Sequence, residues 1–92
     1  MEEAVARIID SIPRGCSFDS HFVIARLVKE HSDQYLIFAS GIATDSNKTL
    51  SVHGKIGQQI ARLDGRVIDR MGDSWSENIH GSASKCASWR KR

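Results

Sequence analysis

The chain has 92 residues, one proline, two cysteines and a formal charge of +2, from 13 Lys/Arg against 11 Asp/Glu. That length predicts one small domain over 1–92, burying roughly 60 to 70% of its unfolded surface and leaving little room for a deep catalytic pocket. The composition excludes a disulfide scaffold, and the longest apolar run, residues 35–39, falls far short of a membrane span of about 20 residues.

The first ten residues, MEEAVARIID, open on acid and lack a secretory pattern, so a cytoplasmic location is expected. Val5, Ile8, Ile9 and Ile12 recur at helical offsets and predict a first helix over 2–12, ended by Pro13 and Gly15. Residues 15–18 read as a short extended piece, too brief to stand alone and suited to adding a strand to a sheet made elsewhere. Asp19 or Ser20 can cap a second helix running to about His31, with Phe22, Val23, Ile24, Leu27 and Val28 on its buried side. Ser32 and Asp33 offer a fresh cap for a short helix carrying Tyr35, Leu36 and Phe38 and closed by Gly41; a bent continuation of the second helix fits equally. Residues 41–48, GIATDSNK, are a loop rich in turn formers, and the N-x-T pattern at Asn47 carries no weight without a secretory signal.

The chain is organised around residues 49–63, TLSVHGKIGQQIARL. Val52, Ile56, Ile60 and Leu63 form one apolar stripe. On the opposite side lie Ser51, Gly54, Lys55, Gln58 and Arg62, small, cationic or amide-bearing and free of carboxylates. Such a face suits a DNA major groove, where small residues allow close approach, Gln and Arg donate to base edges and Lys neutralises phosphate. Gly54 and Gly57 each cost about 1 kcal/mol relative to alanine, which points to close packing or close approach by a partner. Asp64 and Gly65 close the helix.

Beyond Gly65 the period changes, and residues 66–71 and 85–91 predict two strands of a hairpin, with Trp89 in the core. Residues 72–84, GDSWSENIHGSAS, read as a polar connection with NIHG at its tip; Trp75 stacks on a base or, the favoured reading, folds back onto the core. Charge divides along the chain. Residues 1–46 hold four Lys/Arg against seven Asp/Glu, and residues 47–92 hold nine against four, giving −3 and +5. An anion-facing surface on the second half is one reading, an ordinary solvated face the other.

No P-loop, G-x-S-x-G or G-x-G-x-x-G motif is present, so an enzyme is not expected. His21, His31, His53 and His80 form no HxxxH pair, and no metal or cofactor is expected; His53 reads as a packing residue and His21 as a local hydrogen-bonding one. Cys16 and Cys86 read as small buried residues.

The order helix, short strand, helix, helical connection, amphipathic helix and terminal hairpin, with the segments FDSHFVIARLV and SENIHGSASKCASW, resembles the winged helix-turn-helix family over nearly all of the chain. The resemblance implies an α+β winged helix-turn-helix fold, with three to four helices, a C-terminal β-hairpin wing and a short extra strand. It implies that helix 49–63 reads the major groove of double-stranded DNA and that the 72–84 wing contacts the backbone, in a non-enzymatic transcriptional regulator. The residues carried over are Lys48, Ser51, Lys55, Gln58 and Arg62 on the helix, with Asn78, His80, Lys85 and Arg90, followed by Lys91 and Arg92, on the wing and tail. The chain departs from the simplest family pattern through the added residues 32–48. The resemblance also brings residues 15–18 beside the last strand, making Cys16 and Cys86 neighbours, either adjacent core thiols or a redox pair. A homodimer is compatible with DNA reading, and no membrane or small-molecule substrate is expected. The alternatives are a winged-helix protein-interaction module without nucleic acid and a small thiol sensor.

Overall fold

The computed structural model describes residues 1–42 and 48–92; the side chain of Lys48 and most of the loop expected over 41–48, with its Asn47 pattern, lie outside the described residues. Helix α1 (Glu2–Asp10) buries Ala4, Val5, Ile8 and Ile9 and carries Glu2 and Glu3 in its first turn, where they complement the helix dipole. It stops two residues short of the expected end. Pro13 disfavours helical backbone at Ile12, and the Ser11 hydroxyl donates to Ile8 O (2.6 Å), closing the last turn. Ile12 remains in the core without being helical.

Strand β1 (Ser17–Asp19) is entered through Gly15, whose φ of +84° suits glycine. Helix α2 (Ser20–Glu30) begins where Asp19 Oδ1 accepts from the Phe22 N–H (2.9 Å). Val23, Ile24 and Leu27 are buried as expected, but Phe22 lies at the surface with the Arg26 guanidinium 5.7 Å from its ring centre. Helix α3 (Ser32–Ser40) is a separate helix, and the expected Ser32/Asp33 cap does not form: His31 takes the cap position without a side-chain bond. No residue of α3 is buried. Tyr35, Phe38 and Ala39 lean on the core, while Leu36 (62% exposed) and Ile37 (72%) face outward.

Helix α4 (Lys48–Ala61) buries Val52, Ile56 and Ile60 completely, and Leu63 packs on the core just past its end. Gly65, at φ +77°, turns the chain and donates to Ile68 O (2.8 Å). Strands β2 (Ile68–Glu77) and β3 (Ala83–Lys91) then form a hairpin much longer than the sequence suggests. The polar connection expected over 72–84 is mostly ladder: Asp73 to Glu77 pair with Ala87 to Ala83, and the turn itself occupies only residues 78–82.

The sheet has the order β1-β3-β2 and is antiparallel throughout. β1 adds to β3 through Ser17↔Arg90, Phe18↔Trp89 and Asp19↔Ser88, so the short extra strand is present. A bulge at Met71 lies between the pairs Arg70↔Trp89 and Gly72↔Ser88. Phe18, Ile68 and Trp89 close the core from the sheet side against α1, α2 and α4. Among the described residues the architecture is α+β, with four helices and one three-stranded sheet. No helix among them is long and apolar enough to cross a membrane.

Candidate nucleic-acid interface

At 3.6 residues per turn α4 presents three faces. Val52, Ile56 and Ile60 are buried; Lys55, Gln58 and Arg62 are exposed beside half-buried Ser51; and Gly54, Gly57 and Ala61 form a third stripe turned toward the hairpin. This third stripe borders an open groove of about 520 Å³, whose other side is built from Arg70, Lys85, Ala87 and Trp89. Gly54 therefore lies not on the basic stripe but at its border. A Cβ at Gly54 or Gly57 would meet nothing within 4 Å, so internal packing does not require either glycine.

The hairpin tip leans back over α4. The His80 ring lies nearly parallel to that of His53, with centres 6.4 Å apart and planes at 27°. Tyr35 from α3 meets His53 from the other side, its hydroxyl 3.0 Å from Nε2. Burial, and then the charges of His80 and His21, lower the His53 pKa, while burial raises that of Tyr35. His53 is thus the partly buried packing residue that its position suggests. His80, expected at a phosphate, is exposed and lies at the contact between the tip and the helix.

Several other wing residues are also held internally. The Asn78 side chain accepts from the N–H groups of His80 (2.9 Å) and Ser82 (3.2 Å) and donates to Ser84 Oγ (3.2 Å), which makes it the frame of the turn. Lys85 is exposed and 3.6 Å from Asp73, which also pairs with Arg70. Arg90 is exposed and shares a sheet face with its partner Asp69, opposite the face of Lys85. The tail is tied down. Lys91 Nζ donates to Ile12 O (3.2 Å), and Arg92 grips Asp69 at 2.8 Å and the Gly65 carbonyl. Trp75, expected against the core, is 72% exposed on the sheet face of Lys85.

Four cations of the positive half, Arg62, Arg70, Lys85 and Arg92, thus each meet a carboxylate. Just past α4, Arg62 reaches Glu2 of α1 (2.8 Å), while Lys55 on the helix has no ion pair among the described residues. The Lys48 side chain lies outside the description.

The cysteines are not neighbours. Cys16 is exposed and bonds through its backbone to Lys91 (2.9 Å), five residues along β3 from half-buried Cys86. At about 3.3 Å per residue that separation is roughly 16 Å, and a disulfide needs Cα atoms within about 7 Å. The thiol-sensor expectation fails on this register.

What the sequence reading missed is a polar cluster on the outer half of the hairpin. The register places Ser74, Ser76, Ser84, Cys86 and Ser88 on one sheet face, where Asp19 and His21 meet them. His21 Nδ1 lies 2.7 Å from Ser76 Oγ and its Nε2 3.2 Å from Ser84 Oγ, so its bonds are long-range rather than local. One ligand atom each from Asp19, His21 and Cys86 lie within 4.8 Å of one another. The D-x-H spacing is visible in the sequence, but its partner stands 65 residues further on, and only the strand pairing joins them.

Compared with family models, curated proteins and solved structures, the chain matches none.

Proposed function

We propose that the chain is a non-enzymatic double-stranded-DNA-binding protein with a winged-helix layout, reading the major groove with α4. The supporting observation is the exposed, carboxylate-free stripe of Lys55, Gln58 and Arg62, bordered by a glycine stripe that internal packing does not require. Lys and Arg supply phosphate contacts and Gln can address a base edge. Arg62 and Glu2 are both about two-thirds exposed, and such pairs contribute at most about 1 kcal/mol, so a phosphate can displace the carboxylate. On the wing, exposed Lys85 takes the backbone role by charge, in place of Asn78 and His80. A regulator of transcription is the process this chemistry fits.

Affinity for random duplex, followed by fluorescence anisotropy across salt concentrations, tests the reading. With Lys55, Arg62 and Lys85 as contacts, log K should fall against log salt with a slope of about −3. The double variant Lys55→Ala, Arg62→Ala should reduce that slope by about 2 while lowering stability by no more than about 1 kcal/mol. Salt-independent association, or an unchanged slope in the variant, rules the reading out.

One observation favours the alternative, a protein-interaction module: the outward Leu36 and Ile37 of α3. In that case Leu36→Ser with Ile37→Ser abolishes association with the protein partner, and the two α4 substitutions leave it intact.

A further inference from the structure

We propose that Asp19, His21 and Cys86 form a binding site for a divalent metal ion of the zinc class, with water or a neighbouring serine hydroxyl as fourth ligand. The three come from separate parts of the fold: the end of β1, the first turn of α2 and the middle of β3. Their ligand atoms already lie within 4.8 Å of one another. On a tetrahedral zinc, with bonds of about 2.0 to 2.3 Å, neighbouring ligand atoms stand roughly 3.3 to 3.7 Å apart. Closing the remaining ångström takes side-chain rotation and no change in the strand register.

The donor set selects the metal. A thiolate with an imidazole suits zinc and its neighbours and rejects magnesium and calcium, which require oxygen ligands. The surroundings supply the outer contacts such a site needs. Asp19 Oδ1 is anchored by the Phe22 N–H, which leaves Oδ2 for the ion; its present contact, Ser74 Oγ, is a long 3.4 Å. Each ring nitrogen of His21 faces a serine hydroxyl, so one can turn to the metal while the other keeps its serine and fixes the ring. Ser74 and Ser76 both lie 4.0 Å from the Cys86 sulfur. On binding, the thiol gives up its proton to solvent and coordinates as thiolate. An ion held here would clamp the middle of β3 to the start of α2, and the site stands independently of the DNA reading.

Cobalt(II) is the probe, because thiolate ligation gives it a near-ultraviolet charge-transfer band. Titrated into the intact chain, cobalt should raise that band at one equivalent, and zinc should displace it. Cys86→Ser, which puts a poor ligand on a face already rich in serine, should remove the band. Asp19→Asn keeps the helix cap and should weaken binding at least about 10-fold. Cys16→Ser should change nothing. Zinc should raise the melting temperature of the parent chain and not that of Cys86→Ser, which reports on the site without reference to DNA. Absence of the band at millimolar cobalt, its persistence in Cys86→Ser, or its loss in Cys16→Ser overturns the proposal.

Discussion

Asn78 shows how a polar residue on an exposed hairpin can serve the fold. Its carbonyl collects two backbone N–H groups of the turn while its amide reaches Ser84. Asn78→Ala should therefore lower stability by about 1 kcal/mol in urea titrations, the usual contribution of such bonds. DNA affinity per folded molecule should stay level; a loss of affinity at unchanged stability would instead make Asn78 a contact residue. Lys85 should behave in the opposite way, because its pairing with Asp73 is solvent-exposed. Asp19→Ala should remove the α2 cap and cost about 1 kcal/mol, whereas Asp19→Asn should be close to neutral in stability without metal.

On the scale of the element, α4 carries two glycines that the rest of the molecule does not use for packing. Gly54→Ala with Gly57→Ala should raise stability by up to about 1 kcal/mol per site, since alanine forms helix more readily and the space is open. A methyl at Gly54 would stand at the edge of the face proposed to meet the duplex, so tighter folding should accompany weaker binding, whereas Gly57, on the hairpin side, should affect stability alone. Equal or stronger DNA binding in the double variant would show that close approach at Gly54 is not needed. The helices were legible in the sequence because burial on one side imprints a 3.6-residue period, plain in Val52, Ile56 and Ile60. The second half of β2 was not. Ser74, Trp75 and Ser76 lie on a hairpin arm held by cross-strand hydrogen bonds, where neither face is buried enough to leave an apolar alternation. Leu36 misled in the opposite sense, since an apolar run predicts burial and α3 sits at the rim of the core.

For the molecule as a whole, the charge asymmetry between halves was visible in composition, but the ion pairs that hold several of its cations were not. Arg62 meets Glu2 across 60 residues and Arg92 meets Asp69 across 23, contacts that only the folded chain creates. Titration should register some of these arrangements in stability. The folded His53 pKa lies below its unfolded value, so the unfolded chain takes up the proton first. The resulting stability is complete above about pH 6.5 and is lost as pH falls toward the folded value. Melting temperature should therefore decline between about pH 7 and 5, and His53→Gln should flatten that decline. Arg92 lowers the Asp69 pKa through their hydrogen bonds, which adds a second loss in the carboxylate range at more acidic pH.

The extra residue in β2 decides which neighbours the outer half of that strand keeps. Without Met71 slipping out of the ladder, each later residue would move one place: Trp75 would lie opposite Ser84, and Ser74 would lie opposite Lys85. The bulge thus acts as a parity shift, sending hydroxyls to the Cys86 side and the indole to the Lys85 side. Gly72, at φ +102°, makes that step without strain, so a bulky residue there would scramble both surfaces at once.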